Sequence, residues 1–214
     1  MKVIDLTHTI KEDMPVYPGT ETPKLAVANT YEKDGFKETR LSMFSHTGTH
    51  VDPPAHIFAE RTTLDQFPPE QFIGKALVID CRELKEGSSI TMAHILKYGG
   101  KAQQADFLLF NTGWDKYWGT DAYFGNYPCM DMEVLEYILA GGYKGIGFDV
   151  IGLDPIDDVE LTRHKRLFEK KDIINIENLT NLEQCGTELF WFGCFPLKTE
   201  DSDGAPIRAM AWIE

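Results

Sequence analysis

Three of the six histidines in this 214-residue chain lie within one short segment, His46 to His56, which reads H-T-G-T-H-V-D-P-P-A-H. The segment also contains an acidic residue, Asp52, two positions after His50. Imidazole and carboxylate groups together suit Zn, Mn, Fe or Ni better than Ca or Mg. The residue types therefore predict a divalent metal centre.

The backbone of this segment can be predicted from steric rules. Gly48 is unfavourable inside a helix, and Asp52 precedes a proline, which disfavours helical geometry. In an extended chain, His50 and Asp52 lie on the same side because side chains alternate with a period of two. His46 would lie about 13 Å from His50 along a straight strand. A shared ion therefore requires a turn at Thr47 and Gly48.

The whole segment resembles the H-x-G-T-H-x-D-x-P-x-H signature of the cyclase-like metal-dependent hydrolases, the family of bacterial kynurenine formamidase (arylformamidase) and isatin hydrolase. Every fixed position of that signature is present. The resemblance implies that His46, His50 and Asp52 hold one ion. It also implies that His56, held beside the ion by the prolines, acts as a general acid and base; the alternative is a histidine that only caps the loop.

Two later residues also match the family. Its members have a late histidine followed about a dozen residues on by a glutamate, and His164 and Glu177 are the pair that fits. Taken without the family, either residue would be expected on the surface. With the family, they form a second metal site in which Asp52 bridges two ions. The expected cofactor is one or two divalent ions per chain. Zinc is the leading expectation for their identity, and manganese is the next.

The resemblance implies hydrolysis of the carbon–nitrogen bond of a small amide. The best single expectation is an aryl formamide such as N-formylkynurenine, cleaved to kynurenine and formate in tryptophan degradation. A cyclic amide such as isatin, or a lactone, is the enzymatic alternative. The non-enzymatic alternative is a metal-containing protein that binds a small molecule. Structural zinc sites are closed and usually rich in cysteine, whereas this motif contains none, which favours an enzyme.

Two aromatic residues are predicted to bind the substrate. Tyr17 lies in a P-V-Y-P-G segment that resembles the family's amino-terminal arm, which can reach a neighbouring subunit. Trp114 lies in a T-G-W segment directly after a buried strand, where α/β proteins tend to bind ligands. The alternatives are a plain surface loop for Tyr17 and an ordinary packed tryptophan for Trp114.

Strands and helices alternate through the middle of the chain, which indicates an α/β fold. We predict one domain over residues 1–214 with a mixed sheet, and the family implies a swivelling β/β/α fold. The strand at 39–44 is expected to deliver the chain from the sheet into the histidine segment. The predicted strands are 2–6, 24–30, 39–44, 75–81, 107–111, 145–150, 173–176, 189–196 and 208–213, and the predicted helices are 92–98, 132–140 and 162–170.

Composition excludes several classes of protein. Lysine and arginine number 21 against 34 acidic residues, which gives a net charge of −13. Such a chain should repel nucleic acid and anionic membranes. No apolar run approaches the roughly 20 residues of a membrane span, and no signal peptide is recognisable, so a cytoplasmic protein is expected. The expected partners are a small-molecule substrate and further copies of the chain, as a dimer or tetramer.

Two further features have structural interpretations. The four cysteines are scattered without C-x-x-C spacing, which predicts buried thiols instead of a disulfide framework or a zinc ribbon. The segment 149–160 contains five acidic residues, a pattern typical of a solvated surface. Here the family tends to have a serine in S-x-D-P, but this chain has Gly152-Leu153-Asp154-Pro155, so no hydroxyl role is assigned.

Overall fold

The computed structural model describes residues 1–213. We number the strands of this part of the chain β1 to β12 and its α-helices α1 to α5. The strands are β1 Lys2–Asp5, β2 Lys24–Asn29, β3 Glu38–Ser42, β4 His50–Asp52, β5 Ile73–Asp80, β6 Ser89–Ile90, β7 Phe107–Asn111, β8 Cys129–Met130, β9 Gly145–Phe148, β10 Ile174–Glu177, β11 Phe190–Pro196 and β12 Ala205–Ile213. The helices are α1 Tyr31–Asp34, α2 Met92–Leu96, α3 Gly100–Gln104, α4 Met132–Ala140 and α5 Thr162–Phe168.

Eight strands form one mixed sheet in the order β1-β12-β11-β5-β7-β9-β10-β4. β4 also pairs with β12, so the sheet closes into a barrel-like arrangement. β5, β7, β9 and β10 are mutually parallel, and the other pairings of this sheet are antiparallel. The predicted α/β class with a mixed sheet is confirmed. The strand that carries the histidine motif is the one that closes the barrel.

The parallel strands are buried on both faces, which explains their nearly continuous apolar sequences. All five residues of β7 are buried. Leu108 and Phe110 face a core shared with α4 and α5, whereas Phe107 and Leu109 face the core inside the barrel. Burying each such side chain contributes about 1.5–3 kcal/mol. The two cores hold the sheet rigid beneath the site.

Local sequence signals set the boundaries of the longest helix. Asp131 accepts a hydrogen bond from the backbone N–H of Val134 at 2.9 Å, and the helix ends at Gly141. Farther along, β9 begins with Gly145, where a Cβ atom would lie 2.7 Å from Ile174 and 2.9 Å from Phe107. A glycine is therefore required for β9 to fit between its neighbours. The predicted helix 132–140 is confirmed.

The predicted role of strand 39–44 is wrong. β3 pairs only with β2, as a separate two-stranded hairpin, and residues 43–49 then carry the chain across to β4. The apolar residues that suggested a core strand, Leu25, Val27 and Leu41, share one face of this hairpin. Both strands are largely exposed. Residue type alone did not distinguish a strand of the core from one that projects from it.

Two smaller predictions have clear outcomes. The helix predicted at 92–98 ends at Leu96, and a separate helix begins at Gly100 after Gly99 adopts a positive φ of 52°. All four cysteines are free and buried, as their spacing predicts. No helix within residues 1–213 combines the length and the apolar character that crossing a bilayer would require.

Candidate metal centre

β4 and β10 place four polar side chains together. Their antiparallel register sets Asp52 opposite Asn175 and His50 opposite Glu177. Residues two apart on a strand share a face, so these four side chains converge. All four are buried. His50 Nε2 lies 3.2 Å from Asp52 Oδ1 and 3.5 Å from Glu177 Oε2.

Two more histidines reach this cluster from other elements. Gly48 adopts a φ of 65°, which gives the predicted turn and brings His46 Nδ1 to 2.7 Å from Asp52 Oδ1. Residue 204 must be glycine, since a Cβ there would lie 2.5 Å from the His46 ring. From α5, His164 Nε2 lies 3.3 Å from Glu177 Oε1 and 3.7 Å from Asp52 Oδ2.

The predicted ligands form two triads that share Asp52. One is His46, His50 and Asp52, and the other is Asp52, His164 and Glu177. In each triad the potential ligand atoms lie within 4.8 Å of one another. The structure thus brings all five predicted ligands together, at spacings compatible with one or two ions.

The pKa shifts of the histidines indicate whether a cation suits the two triads. Burial lowers the pKa of His46, but the carboxylates of Asp52 and Asp203 outweigh burial and raise it to about 10. The pKa values of His50 and His164 are also raised, against burial, by neighbouring carboxylates. These directions show an excess of negative charge in a buried site. The donor set fits a divalent cation, which would balance that charge.

Each ligand histidine has a hydrogen-bond acceptor on its other ring nitrogen. His164 Nδ1 donates to Asp154 Oδ2 at 2.7 Å, and His50 Nδ1 donates to the carbonyl of Gly48 at 2.8 Å. His46 Nε2 lies 3.4 Å from Asp203 Oδ2. Such contacts fix the tautomer and ring orientation of a metal-binding histidine.

A buried network supports the turn that carries His50. Asn178 Nδ2 donates to the Gly48 carbonyl at 2.9 Å, and the Tyr123 hydroxyl donates to Asn178 Oδ1 at 2.7 Å. Asn178 has a φ of 58°, a conformation that asparagine tolerates better than most residues. The Gly48 carbonyl therefore accepts from both His50 and Asn178.

Sequence reasoning missed several residues of this site. The acidic segment 149–160 was predicted to be a solvated surface, but Asp149 and Asp154 are buried. Asn175 Nδ2 donates to Asp52 Oδ2 at 3.0 Å and to Glu177 Oε1 at 2.8 Å. The period-two spacing of Asn175 and Glu177 on one strand was the available signal for this contact.

A cavity of about 550 Å³ opens onto the two triads. His56 lines it, with its ring centroid 4.0 Å from that of His46. Burial lowers the pKa of His56 to about 4, so its imidazole is neutral near pH 7 and can accept a proton. His56 thus differs from His46, His50 and His164, whose pKa values are shifted upward by neighbouring carboxylates.

The two predicted substrate-binding residues have different positions. Tyr17 lines the cavity. Trp114 instead packs in the hydrophobic core, where its Nε1 donates to the carbonyl of Tyr123 at 3.0 Å. Asp149 turns the chain inward here by accepting the backbone N–H groups of Gly113 and Trp114. Of the two alternatives for Trp114, the structure favours the ordinary packed tryptophan.

Comparisons with known proteins find related sequences along nearly the whole chain. The family described as "Putative cyclase" matches residues 4–155. An uncharacterized protein of Methanocaldococcus jannaschii, MJ0783, is 32% identical over 212 residues, which cover 99% of each chain. A kynurenine formamidase of Bacillus thuringiensis (strain Al Hakam) is 28% identical over 208 residues, which cover 97% of this chain and 95% of that protein.

A solved structure has the same fold. It is an isatin hydrolase bound to the product analogue thioisatinate, with a TM-score of 0.86 and 22% sequence identity. The match covers 99% of this chain and 92% of that one. The barrel-like sheet and its surrounding helices are therefore shared by both proteins.

Proposed function

This chain belongs to the Cyclase family, and on that premise we propose that it hydrolyses the carbon–nitrogen bond of a small amide with the help of a bound divalent ion. The observation that carries the proposal is the pair of triads sharing Asp52 at the end of a cavity, with the neutral His56 beside them. A purely structural zinc site would be closed and usually rich in cysteine.

The ligand set determines which ions suit the site. His46, His50 and Asp52 would hold one ion, and Asp52, His164 and Glu177 would hold a second. We propose zinc as the preferred metal and manganese as the alternative, because imidazole and carboxylate ligands accept both. A bound ion of this kind supplies Lewis-acid polarisation of a carbonyl oxygen and a more acidic water molecule.

The residues of the chain supply the remaining functions. His56 accepts a proton from the attacking water at a ring nitrogen and returns it to the leaving nitrogen, which is a poor leaving group unless protonated. Asp154 holds the proton on Nδ1 of His164, so that Nε2 faces Asp52 and Glu177.

An aryl formamide is the substrate type that we propose. The kynurenine formamidase match extends over nearly the whole chain, and Tyr17 and Phe44 place aromatic side chains in the cavity wall. An aromatic ring of the substrate can pack against these side chains.

The test combines metal content and turnover in the same preparations. We expect wild-type protein to contain a divalent ion by elemental analysis and to hydrolyse formanilide in a panel of formamides, lactams and lactones. His50→Ala and Asp52→Ala should lose metal and activity together, because each removes a ligand. The exposed substitution Asp157→Ala is the control and should change neither.

Full metal occupancy in both ligand variants would refute the assignment of the first triad. Glu177→Gln tests the second triad separately. We expect it to lower the metal content per chain, whereas wild-type content and rate would exclude a second ion.

A further inference from the structure

A buried asparagine contacts the second triad, which consists of Asp52, His164 and Glu177. Asn175 is the second residue of β10 and is completely buried. Asparagine is depleted in strands, and a buried amide costs free energy unless its hydrogen bonds are made. The interactions that compensate this cost are the hydrogen bonds of Asn175 to the proposed metal ligands.

The amide nitrogen of Asn175 lies among the atoms that would bind the second ion. Nδ2 donates to Asp52 Oδ2 at 3.0 Å and to Glu177 Oε1 at 2.8 Å, and it lies 3.4 Å from His164 Nε2. The same three atoms face one another across the second triad. Glu177 Oε1 also accepts the backbone N–H of Leu153 at 2.9 Å. The amide hydrogens therefore occupy carboxylate lone pairs that an ion at this triad needs.

The two ends of the amide are not equivalent at this position. Asn175 Oδ1 is buried and has no hydrogen-bond partner within residues 1–213. Rotation of the amide would place this oxygen against the oxygens of Asp52 and Glu177, which repel it, so the nitrogen end faces the triad. An amide NH2 group is only a donor and does not bind a cation. Asn175 thus bridges the two carboxylates in the manner of a weak, uncharged substitute for an ion.

The first triad, His46, His50 and Asp52, uses the other oxygen of the shared carboxylate. His46 Nδ1 lies 2.7 Å and His50 Nε2 3.2 Å from Asp52 Oδ1. The hydrogen bond from Asn175 is made to Oδ2 instead. An ion at the first triad therefore leaves the hydrogen bonds of Asn175 in place, whereas an ion at the second triad must displace them.

We propose that Asn175 makes the two metal sites unequal. Its amide competes with the second ion for Asp52 and Glu177, so the first triad binds its ion more tightly and the second ion exchanges more readily. Asn175 is thus a positioning residue that acts through the two carboxylates. This inference rests on the metal centre of the proposed function and assigns to it a residue that controls how many ions are bound.

The zinc content of the chain at controlled free zinc tests this inequality. The full-length protein, loaded with zinc, is dialysed against buffers of decreasing free zinc, and ions per chain are measured by elemental analysis. We expect the wild-type content to fall in two steps, with the second ion lost at the higher free zinc concentration. Glu177→Gln should remove this weaker step, which identifies it with the second triad.

Substitutions at Asn175 test its part in the weaker step. Asn175→Ala removes the competing hydrogens and should tighten that step about tenfold, roughly the effect of one hydrogen bond to a charged group, with the tighter step unchanged. Asn175→Asp keeps the size of the side chain but offers zinc a further carboxylate, and should tighten the weaker step more. Asn181→Ala is the matched control, since Asn181 Nδ2 donates to the carbonyl of Asp5. It should change neither step.

The opposite outcomes are equally clear. Equal affinities for the two ions in the wild type would overturn the inference without any variant. An unchanged weaker step in Asn175→Ala would also overturn it. A looser step in Asn175→Ala would show that the amide rotates and binds the ion through Oδ1, which contradicts competition. A second ion that is bound only by the Asn175 variants would support the inference.

This inference and the proposed hydrolysis can fail separately, because the zinc content is measured without a substrate. If the zinc-loaded protein hydrolysed no amide, the proposed function would be wrong, and the two steps of zinc loss would still measure the effect of Asn175. If the protein hydrolysed amides and its two ions were lost together in every variant, only the inference would be wrong.

Discussion

His56 differs from the other three histidines of the site in the balance of forces on its ring. Carboxylates raise the pKa values of His46, His50 and His164 despite burial. For His56, burial is the largest effect and lowers the pKa to about 4. Its imidazole is therefore neutral at pH 7, which is the state that a general base requires. The neighbouring triads would hold the ion while His56 remains free to transfer protons.

We predict that His56→Ala retains the fold and most of the metal but loses about 10² to 10⁴ in kcat, the usual contribution of a positioned acid–base group. The measurement is kcat, melting temperature and bound metal on one preparation. If His56 only caps its loop, the variant would instead lose stability while kcat per folded molecule stays near the wild-type value. A normal rate with intact metal would exclude the acid–base role.

The carboxylates that hydrogen-bond to the proposed metal-binding histidines show why part of the site could not be predicted. His46, His50 and Asp52 lie within one short segment, so their spacing indicated a shared ion. Asp203 is 157 residues away from its partner His46 in the sequence. Asp154 is closer to its partner His164, but it belongs to an acidic segment that resembles an ordinary solvated surface. Only the packing of α5 and of the loop before β12 brings these carboxylates to the imidazoles.

At the scale of the elements, strands and helices with strong local signals were predictable, whereas their partners were not. The apolar run of β7 and the Asp131 cap of α4 have local physical causes. The pairing of β4 with both β10 and β12 depends on residues more than 120 positions away. The sheet closure that places His50 opposite Glu177 therefore could not be read from the motif.

The turn after β7 depends on a single buried carboxylate. Asp149 accepts the backbone N–H and the hydroxyl of Thr112, at 3.0 and 2.6 Å. It also accepts the backbone N–H groups of Gly113 and Trp114, at 2.6 and 3.2 Å. These bonds join the ends of β7 and β9 and direct Trp114 into the core. Asp149 is fully buried, so water cannot replace it.

We predict that Asp149→Asn lowers the free energy of unfolding by about 2–4 kcal/mol, because an amide nitrogen would face backbone donors that are then unsatisfied. Asp157→Asn, on the exposed part of the same acidic segment, is the matched control and should change stability by less than about 0.5 kcal/mol. Urea unfolding of the two variants and the wild type provides the comparison. Equal stabilities would show that the Asp149 network does not hold the turn.

For the molecule as a whole, the β2–β3 hairpin is the element whose apolar face remains exposed to solvent in a single copy of the chain. Leu25, Val27 and Leu41 lie on one face of it, and Val27 and Leu41 are 63% and 58% exposed. The opposite face carries Lys24 and Arg40. An isolated two-stranded hairpin is marginally stable in water at best. We therefore propose that a second copy of the chain covers the apolar face.

The hairpin is also connected to the cavity at both ends. Tyr17 and Thr20 precede it, and Phe44 and Ser45 follow it, and all four line the cavity. An interface formed by this hairpin would consequently fix the walls near the mouth. Assembly and substrate binding are thus expected to be coupled through the same stretch of chain.

We predict that the wild-type protein has at least twice the 24.3 kDa mass of the chain in solution, measured by size-exclusion chromatography with light scattering. Leu41→Lys buries a charge in the proposed interface and should shift the mass toward one chain. Ala26→Lys adds the same charge to the opposite face and should leave the mass unchanged. A wild-type mass of one chain, or equal behaviour of the two variants, would refute the interface. Because both substitutions make the acidic protein less negative, a difference between them would report the face of the hairpin and not the net charge.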